Sequence, residues 1–323
     1  MNLDTLIDEV LTNKELEYDE VDPVMHKSKL RKTVGELGKM GKLPRTLGVI
    51  PDGNRRFASR EGIDGNAGHL FGSLKVVDVI RWCADLNLNK ILFYLLSVDN
   101  IKKRSKEETQ FLYSGLVMMI RYLMNTDLIE DKKLHFIHAG DTALLPNDVN
   151  SALSDLLKRT ENNKGMNVVL CVGYLGKDEI NRALKKAYDE GGNDIQFDDV
   201  LRHCDVPEEI DMIIRTGKKD RMSDFLTFQS GYSELAFIPK FFPDVTEEDL
   251  LLSLIDYATR GKTKGGNAEG KGENTFNEYL SLMRLVESHI PRRCAKGFVR
   301  SGIKEVVGIL YQELGWMLKG SDW

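Results

Sequence analysis

Short apolar runs alternate with amphipathic stretches from about residue 45 onward. The apolar runs predict strands at TLGVI (46–50), KILFYLLS (90–97), LHFIHAG (134–140), NVVLCVG (167–173), IDMIIRTG (210–217) and SELAFI (233–238). Apolar residues at helical spacing predict helices over 68–86, 105–124, 147–160, 177–190 and 222–231. Continuous apolar strands alternating with helices are typical of α/β proteins. The pattern therefore predicts a central, mostly parallel sheet of about six strands flanked by helices.

The two ends of the chain differ from this regular middle. Residues 1–42 are charged and patchily apolar, which predicts an N-terminal helical extension before a main domain over 43–323. Further helices are predicted at the C-terminal side, over 247–260, 275–290 and 303–319. Between the first two lies a stretch rich in Gly, Lys and Asn, 261–274, which predicts a mobile surface loop.

Composition excludes several classes of protein. The net charge of −5 disfavours a nucleic-acid partner recruited by overall charge. The four cysteines, Cys83, Cys171, Cys204 and Cys294, form no C-x-x-C pair, so we expect free thiols and not zinc ligands or disulfides. Free thiols are typical of a reducing cytoplasm, and the acidic N-terminus lacks a signal-peptide pattern. No apolar run approaches the roughly 18 residues of a membrane span, so any membrane contact would be peripheral.

Polar residues follow the predicted strands where each one ends. The first strand runs into Pro51–Arg56, the second into Ser97–Asn100, and the fifth into Arg215–Gly217. The third and fourth end in Gly-Asp and Gly-Tyr. Because the carboxyl ends of parallel strands share one edge of the sheet, and ligands bind outside that edge, we expect these residues to converge on one site.

The residue types in this cluster favour phosphate chemistry. Guanidinium groups suit phosphate oxygens, and four arginines follow the strands: Arg55, Arg56, Arg215 and Arg221. Asp52 is the one carboxylate within 51–56, and a single carboxylate together with diphosphate oxygens is a common way to hold Mg²⁺. The chain has neither G-x-x-x-x-G-K-[ST] nor a G-x-G-x-x-G after a strand, which disfavours a nucleotide. The sequence therefore predicts a site for one or two diphosphates.

Five stretches in order carry a family resemblance: PDGNRRFA (51–58), GH (68–69), LLSVDNIKKRSKEE (95–108), GYLGKDEI (173–180) and RTGKKDRMSDFLTFQSGYSELAF (215–237). They resemble M-D-G-N-x-R-W-A, G-H, F-S-x-E-N-x-x-R-x-x-x-E, N-Y-G-G-R-x-E-I and R-T-G-G-x-x-R-x-S-x-F-L-x-W-Q-x-x-Y-x-E-L-x-F. These are motifs of the cis-prenyltransferases, the family of undecaprenyl and dehydrodolichyl diphosphate synthases. The resemblance covers about residues 44–245.

The resemblance implies a magnesium-dependent enzyme with a parallel-sheet catalytic domain over 43–323 that works as a homodimer, or sometimes a heterodimer. Its reaction would join isopentenyl diphosphate to an allylic prenyl diphosphate with a new cis double bond. Bulky Leu95 and Leu96, where a strand would enter the product tunnel, favour a short- or medium-chain product. Peripheral membrane contact would then arise through that product.

The resemblance also assigns residues to roles. Asp52 and Asn100 would be catalytic, and Asp52 and Glu234 would hold Mg²⁺. The residues assigned to substrate binding are Gly53, Asn54, Arg55, Arg56, Phe57, His69, Ser97, Asp99, Lys103, Arg104, Arg215, Arg221 and Ser223. Gly53–Arg56 and His69 would hold the allylic diphosphate. Arg215, Arg221 and Ser223 would hold isopentenyl diphosphate, while Ser97 and Asn100 would lie beside the reacting carbons.

Some positions depart from the motifs and leave two alternatives open. Gly65 stands where an arginine for the allylic diphosphate is usual in the family, and the departures around the reacting centre are Ile101, Lys103, Gly173 and Lys218. They motivate the alternative that the prenyl group passes to a different acceptor, such as a hydroxyl group. A second alternative is a non-catalytic subunit of a heteromeric synthase, although the intact cluster from Asp52 to Arg56 disfavours it.

Overall fold

A six-stranded parallel sheet forms the centre of the computed structural model, which describes residues 23–260. Its strands are β1 (Thr46–Ile50), β2 (Lys90–Ser97), β3 (His135–Ala139), β4 (Asn167–Tyr174), β5 (Met212–Arg215) and β6 (Glu234–Phe237). They lie in the order β3-β4-β2-β1-β5-β6, and each neighbouring pair is parallel. The predicted α/β class and the sheet of about six strands are therefore confirmed.

Residues 23–260 also contain ten α-helices. They are α1 (Pro23–Lys39), α2 (Asn54–Arg60), α3 (Ala67–Asp85), α4 (Val98–Lys103), α5 (Lys106–Met124), α6 (Leu128–Lys132), α7 (Asn147–Thr160), α8 (Gly176–Gly191), α9 (Phe197–Arg202) and α10 (Glu247–Arg260). Helix α3 packs against both α2 and α5, and α7 packs against β3. None of the described helices combines the length and apolarity that a membrane crossing would require.

The chain divides into two compact units, and residues 33–260 belong to the unit that contains the sheet. Residues 23–32 of helix α1 belong to the other unit. The predicted loop at 261–274 and the predicted helices at 275–290 and 303–319 lie outside the described residues, as do residues 1–22 of the predicted extension over 1–42.

The interior of the sheet explains why its strands read as unbroken apolar runs. All five residues of β1 are buried, because β1 lies between β2 and β5 and both of its faces are covered. In β2, Ile91, Leu92 and Phe93 have no exposed surface. Cys83, Cys171 and Cys204 are free and buried, in agreement with the expectation for these three thiols, whereas Cys294 lies outside the described residues.

The helix predicted over 222–231 is wrong. The structure has irregular turns there, because Ser223, Asp224 and Leu226 take positive φ angles of 54°, 62° and 50°. A right-handed helix cannot contain such residues. The sequence pattern also missed helices α2 and α4, which begin directly after β1 and β2 and are too short, at seven and six residues, to show a helical period.

Candidate active site

A cavity of about 630 Å³ opens at the carboxyl edge of the sheet, where β1, β2 and β5 end. Thirteen residues predicted for the site line it: Asp52, Gly53, Asn54, Arg55, Arg56, His69, Ser97, Asp99, Asn100, Arg104, Arg215, Arg221 and Ser223. The register explains this grouping, since Ile50 at the end of β1 pairs with Arg215 at the end of β5. Residues far apart in sequence thus meet because parallel strands end together.

Asp52 joins two arginines at the centre of the cavity. Its Oδ2 accepts a hydrogen bond from Nη2 of Arg215 at 2.8 Å, and its Oδ1 accepts one from Nη2 of Arg56 at 3.1 Å. Arg215 is only 5% exposed, whereas the Asp52 side chain is 32% exposed. The carboxylate therefore compensates a buried charge on one side and remains accessible to a ligand on the other.

The loop that carries Asp52 is held by the loop after β5 and by the loop after β6. The Thr216 hydroxyl donates to the Asp52 carbonyl at 2.8 Å, and the Asp52 N–H donates to the Thr216 oxygen at 2.9 Å. The Phe242 N–H donates to the same carbonyl at 3.1 Å. The backbone of Asp52 is therefore positioned by hydrogen bonds from two segments that follow other strands and lie far from it in sequence.

A second charged cluster lies where α3 and α5 meet the cavity. Glu108 on α5 accepts from Nη1 of Arg104 at 2.5 Å and lies 3.2 Å from Nη1 of Arg55. Nε2 of His69 lies 3.4 Å from Arg104 and 3.7 Å from Glu108. Burial lowers the pKa of the Arg104 guanidinium. The cluster places two further cations on the cavity wall, with Glu108 between them.

His69 is neutral at physiological pH in this environment. Burial, and next the nearby Arg104 charge, lower the pKa of His69 to about 4. An unfolded histidine titrates near a pKa of about 6.5, so the unfolded chain binds a proton that the folded chain does not between about pH 4 and pH 6.5. Stability from this group is therefore complete above about pH 6.5 and is lost as the pH falls towards 4.

We expect the free energy of unfolding to fall by about 2 kcal/mol more in the wild type than in His69→Gln between pH 7 and pH 5. Urea denaturation of both proteins at the two pH values measures this difference. The variant acts as the control because it lacks the imidazole and keeps every carboxylate of the wild type. An equal loss of stability in the two proteins would show that His69 has an ordinary pKa.

Ser97 and Asn100 fix each other at the start of helix α4. The Asn100 N–H donates to the Ser97 hydroxyl at 3.0 Å, and the Ser97 N–H donates to Oδ1 of Asn100 at 3.2 Å. This reciprocal capping box sets the direction in which the chain leaves β2. Both residues therefore have a structural role in addition to the one that the motif resemblance implies.

Arg104, and not Lys103, reaches the cavity from the motif after β2. The Lys103 side chain is 71% exposed and forms a surface ion pair with Asp99 at 2.8 Å. Arg104 lies in the short extended link between α4 and α5, and from there its guanidinium reaches Glu108 in the first turn of α5. The R-x-x-x-E part of the motif thus corresponds to Arg104 and Glu108, with one additional residue after Asn100.

The remaining three predicted site residues, Phe57, Lys103 and Glu234, do not line the cavity. Phe57 packs against Phe71, with ring centroids 5.6 Å apart, and Lys103 lies at the surface. Glu234 begins β6 and pairs with Met212, the first residue of β5, so it lies at the amino edge of the sheet. Within one chain, Glu234 and Asp52 therefore lie at opposite edges, and the two predicted metal ligands are not brought together.

Sequence reasoning missed part of the cavity lining, including Tyr94, Leu112 and Lys219. The Tyr94 hydroxyl donates to the Ser223 carbonyl at 3.3 Å, and burial raises the pKa of this phenol. Leu112 follows Arg104 and Glu108 at intervals of four residues, so helical spacing could have identified it. No comparable pattern signals Tyr94, which reads as one more apolar residue of a buried strand.

Comparison with known proteins agrees with this geometry. The family model Prenyltransf, described as "Putative undecaprenyl diphosphate synthase", matches residues 50–265. A relative from Pyrobaculum aerophilum, named tritrans,polycis-undecaprenyl-diphosphate synthase (geranylgeranyl-diphosphate specific), is 32% identical over 69% of this chain and 97% of its own length. The isoprenyl transferase of Treponema pallidum is 32% identical over 68% of this chain and 98% of its own.

Solved structures give the same picture. Lavandulyl diphosphate synthase from Lavandula x intermedia, in complex with dimethylallyl diphosphate, has a TM-score of 0.66 and 28% identity, and the match covers 70% of this chain and 100% of that one. A probable undecaprenyl diphosphate synthase from Campylobacter jejuni shares the fold, with a TM-score of 0.59 and 23% identity over 69% of this chain and 99% of that one. The chain therefore belongs to the undecaprenyl diphosphate synthase family and is a prenyltransferase of isoprenoid biosynthesis.

Proposed function

We propose that this prenyltransferase joins isopentenyl diphosphate to an allylic prenyl diphosphate and releases pyrophosphate. The observation that carries the proposal is the cavity itself, which five arginines line together with Asp52: Arg55, Arg56, Arg104, Arg215 and Arg221. So many guanidinium groups on one wall suit a ligand with several phosphate oxygens. The names of the relatives support an allylic substrate, since one is specific for geranylgeranyl diphosphate and one was solved with dimethylallyl diphosphate.

In the proposed reaction the two diphosphates occupy neighbouring parts of the cavity. Gly53, Asn54, Arg55, Arg56 and His69 hold the allylic diphosphate, and Arg215, Arg221 and Ser223 hold isopentenyl diphosphate. The bond between the allylic carbon and its diphosphate breaks, the double bond of isopentenyl diphosphate supplies the electrons of the new carbon–carbon bond, and a proton then leaves. Fixing both partners makes their encounter nearly unimolecular, and the arginines stabilise charge that grows on the leaving diphosphate.

Asp52 fits a magnesium ion shared with the substrate. Its carboxylate is partly exposed to the cavity and keeps lone pairs free beyond the two bonds it accepts from arginines. Mg²⁺ is usually bound by one or two carboxylates together with substrate phosphates, so Asp52 alone suffices on the protein side. Among residues 23–260, no group of three or more His, Cys, Asp or Glu side chains could hold a metal. When bound, Mg²⁺ would neutralise charge on the departing diphosphate.

We further propose that the enzyme is a cytoplasmic homodimer whose apolar product makes peripheral membrane contact. Strand β6 is an edge of the described sheet, and Leu235 and Phe237 on it are 39% and 41% exposed. Neighbouring Tyr232 is 79% exposed, so the edge offers apolar area to a second copy. Three buried free thiols are compatible with a reducing compartment. Analytical ultracentrifugation of the purified chain tests the dimer.

Incubation with isopentenyl diphosphate, Mg²⁺ and either farnesyl or geranylgeranyl diphosphate tests the reaction. We expect a prenyl diphosphate lengthened by five-carbon units, detected by mass spectrometry, and no product when Mg²⁺ is chelated. Pyrophosphate release without any lengthened prenyl diphosphate would contradict the proposal. A prenyl group found on a hydroxyl-bearing molecule would instead identify a different acceptor.

We expect Leu95→Ala to lengthen the longest product by at least one five-carbon unit. Leu95 lines the cavity on β2, and a smaller side chain there leaves more room for the growing apolar chain. Leu92→Ala is the matched control, because Leu92 is fully buried in the same strand and does not line the cavity. Thin-layer chromatography of the products resolves their lengths, and an unchanged product from Leu95→Ala would refute a limiting role for this side chain.

A further inference from the structure

We propose that Asp224 is a positioning residue that fastens residues 221–227 to the start of helix α8 and thereby aims Ser223 and Arg221 into the cavity. The inference rests on the proposed function, which assigns these two residues to isopentenyl diphosphate. Asp224 itself does not line the cavity. It acts on Ser223 and Arg221 by holding the backbone of residues 221–227 against helix α8.

Asp224 makes three contacts that hold this segment in place. Its carbonyl accepts from the N–H of Gly176 at 2.9 Å, and its Oδ2 accepts from the N–H of Lys177 at 3.1 Å. Its Oδ1 accepts from the Thr227 hydroxyl at 3.0 Å. Helix α8 starts at Gly176, and the first N–H groups of a helix favour a carboxylate.

The start of α8 is shaped for this contact. A Cβ atom at Gly176 would lie 2.7 Å from the carbonyl oxygen of Asp224, so only glycine allows the two backbones to approach this closely. Gly176 also lies in the stretch that resembles a family motif, GYLGKDEI. Glycine at 176 therefore permits the close contact through which Asp224 attaches to helix α8.

The backbone of residues 221–227 needs such an attachment. Ser223, Asp224 and Leu226 all take left-handed φ angles, which cost energy for residues other than glycine. Strained residues of this kind persist only where the surrounding structure holds them. The contacts of Asp224 with α8 hold these two adjacent left-handed residues from one side, and the bonds of Arg215 and Tyr94 to Ser223 hold them from the other.

Arg215 connects residues 221–227 to Asp52 at the centre of the cavity. Nη1 of Arg215 donates to the Ser223 hydroxyl at 2.8 Å and also to the carbonyl of Arg221. Nη2 of the same arginine donates to Asp52 at 2.8 Å. Releasing Asp224 would therefore loosen Ser223 and Arg221 first and would leave the Arg56 side of the cavity intact.

The test compares Asp224→Ala and Asp224→Asn with Asp199→Ala. Asp199 is a matched control, because its Oδ2 accepts from the N–H of Gln196 at 2.8 Å at the start of α9 and it does not line the cavity. We expect Asp224→Ala to raise KM for isopentenyl diphosphate about tenfold and to change KM for the allylic substrate less than about twofold. Asp224→Asn, which keeps an acceptor and tolerates a left-handed backbone, should recover most of this loss.

Limited trypsin digestion gives a readout that does not depend on activity. Arg221 is exposed, and we expect cleavage after it, identified by peptide mass, to be several-fold faster in Asp224→Ala than in the wild type or Asp199→Ala. Unchanged cleavage, or an equal rise in KM for both substrates, would overturn the inference. If the protein proves to use another acceptor, the digestion still decides whether Asp224 fastens the segment. If Asp224→Ala does not fold, Thr227→Val removes one contact of the same carboxylate and should show a smaller increase in cleavage.

Discussion

Asp52→Asn is expected to lower kcat by about 10²- to 10³-fold while the protein remains folded. The amide keeps the size of the side chain, but it loses the charge that faces Arg215 and Arg56 and that would hold Mg²⁺. Steady-state kinetics at several Mg²⁺ concentrations measure the effect, and a higher Mg²⁺ requirement should accompany the lower kcat. Circular dichroism and urea denaturation establish that the fold persists.

Asp52→Ala should cost stability as well as activity. Removing the carboxylate leaves the Arg215 guanidinium, which is 5% exposed, without its charged partner, and we expect a loss of about 3 kcal/mol in the free energy of unfolding. For the Asp52→Asn variant, the matched control is Asp244→Asn, because Asp244 forms a carboxylate–arginine pair with Arg60 and does not line the cavity. Wild-type kcat in Asp52→Asn, or an equal loss in Asp244→Asn, would contradict the central role of Asp52.

Gly53→Ala is expected to cause the second large effect, a loss of more than about 100-fold in kcat/KM with about 1 to 3 kcal/mol of stability. Gly53 has a φ of 106°, and a Cβ atom there would lie 2.8 Å from Cδ1 of Phe241. The backbone must shift to relieve this contact. Because Gly53 lies between Asp52 and Asn54, the shift would misplace both sides of the proposed allylic diphosphate site.

Two further variants separate strain from collision. Gly62→Ala also places alanine at a positive φ, 70°, but a Cβ there meets nothing within 4 Å, so it should lower stability without lowering kcat/KM. Phe241→Leu combined with Gly53→Ala should lose less activity than the sum of the two single effects. The reason is that leucine is shorter than phenylalanine and leaves some room for the Cβ atom added at position 53. Strict additivity would show that Phe241 is not the obstacle.

The hydrophobic pattern was sufficient to predict the sheet and the edge where the site lies. Strands such as β1 are buried on both faces, so their composition alone marks them, and parallel strands end at one common edge. This is why Asp52, Ser97 and Arg215 could be expected to meet. The position of Glu234 followed from the same rule, since a strand predicted over 233–238 begins at the amino edge. The motif resemblance assigned Glu234 to the metal and does not state which edge of the sheet it occupies.

Other features depended on contacts that no local pattern contains. Helices α2 and α4 are too short for a period, and residues 222–231 have apolar residues at helical spacing but contain three left-handed residues, Ser223, Asp224 and Leu226. The distinction between Lys103 and Arg104 depended on where α4 ends, because Lys103 is its last helical residue and Arg104 has extended backbone, which turns the next side chain in a different direction. Propensity and periodicity describe residues that are close in sequence, whereas these local structures depend on contacts between residues that are close in space.

The sequence by itself determined the fold class, the edge of the sheet at which the cavity opens and the arginine-rich composition of that edge. It did so because hydrophobicity, the order of the elements and side-chain charge are all read directly along the chain. Only the tertiary structure decided that Arg215 is the buried link between Asp52 and Ser223, and that Arg104, and not Lys103, enters the cavity. The link through Arg215 depends on a 2.8 Å contact with Asp52, which lies 163 positions away in the sequence, and a linear pattern cannot encode such a contact.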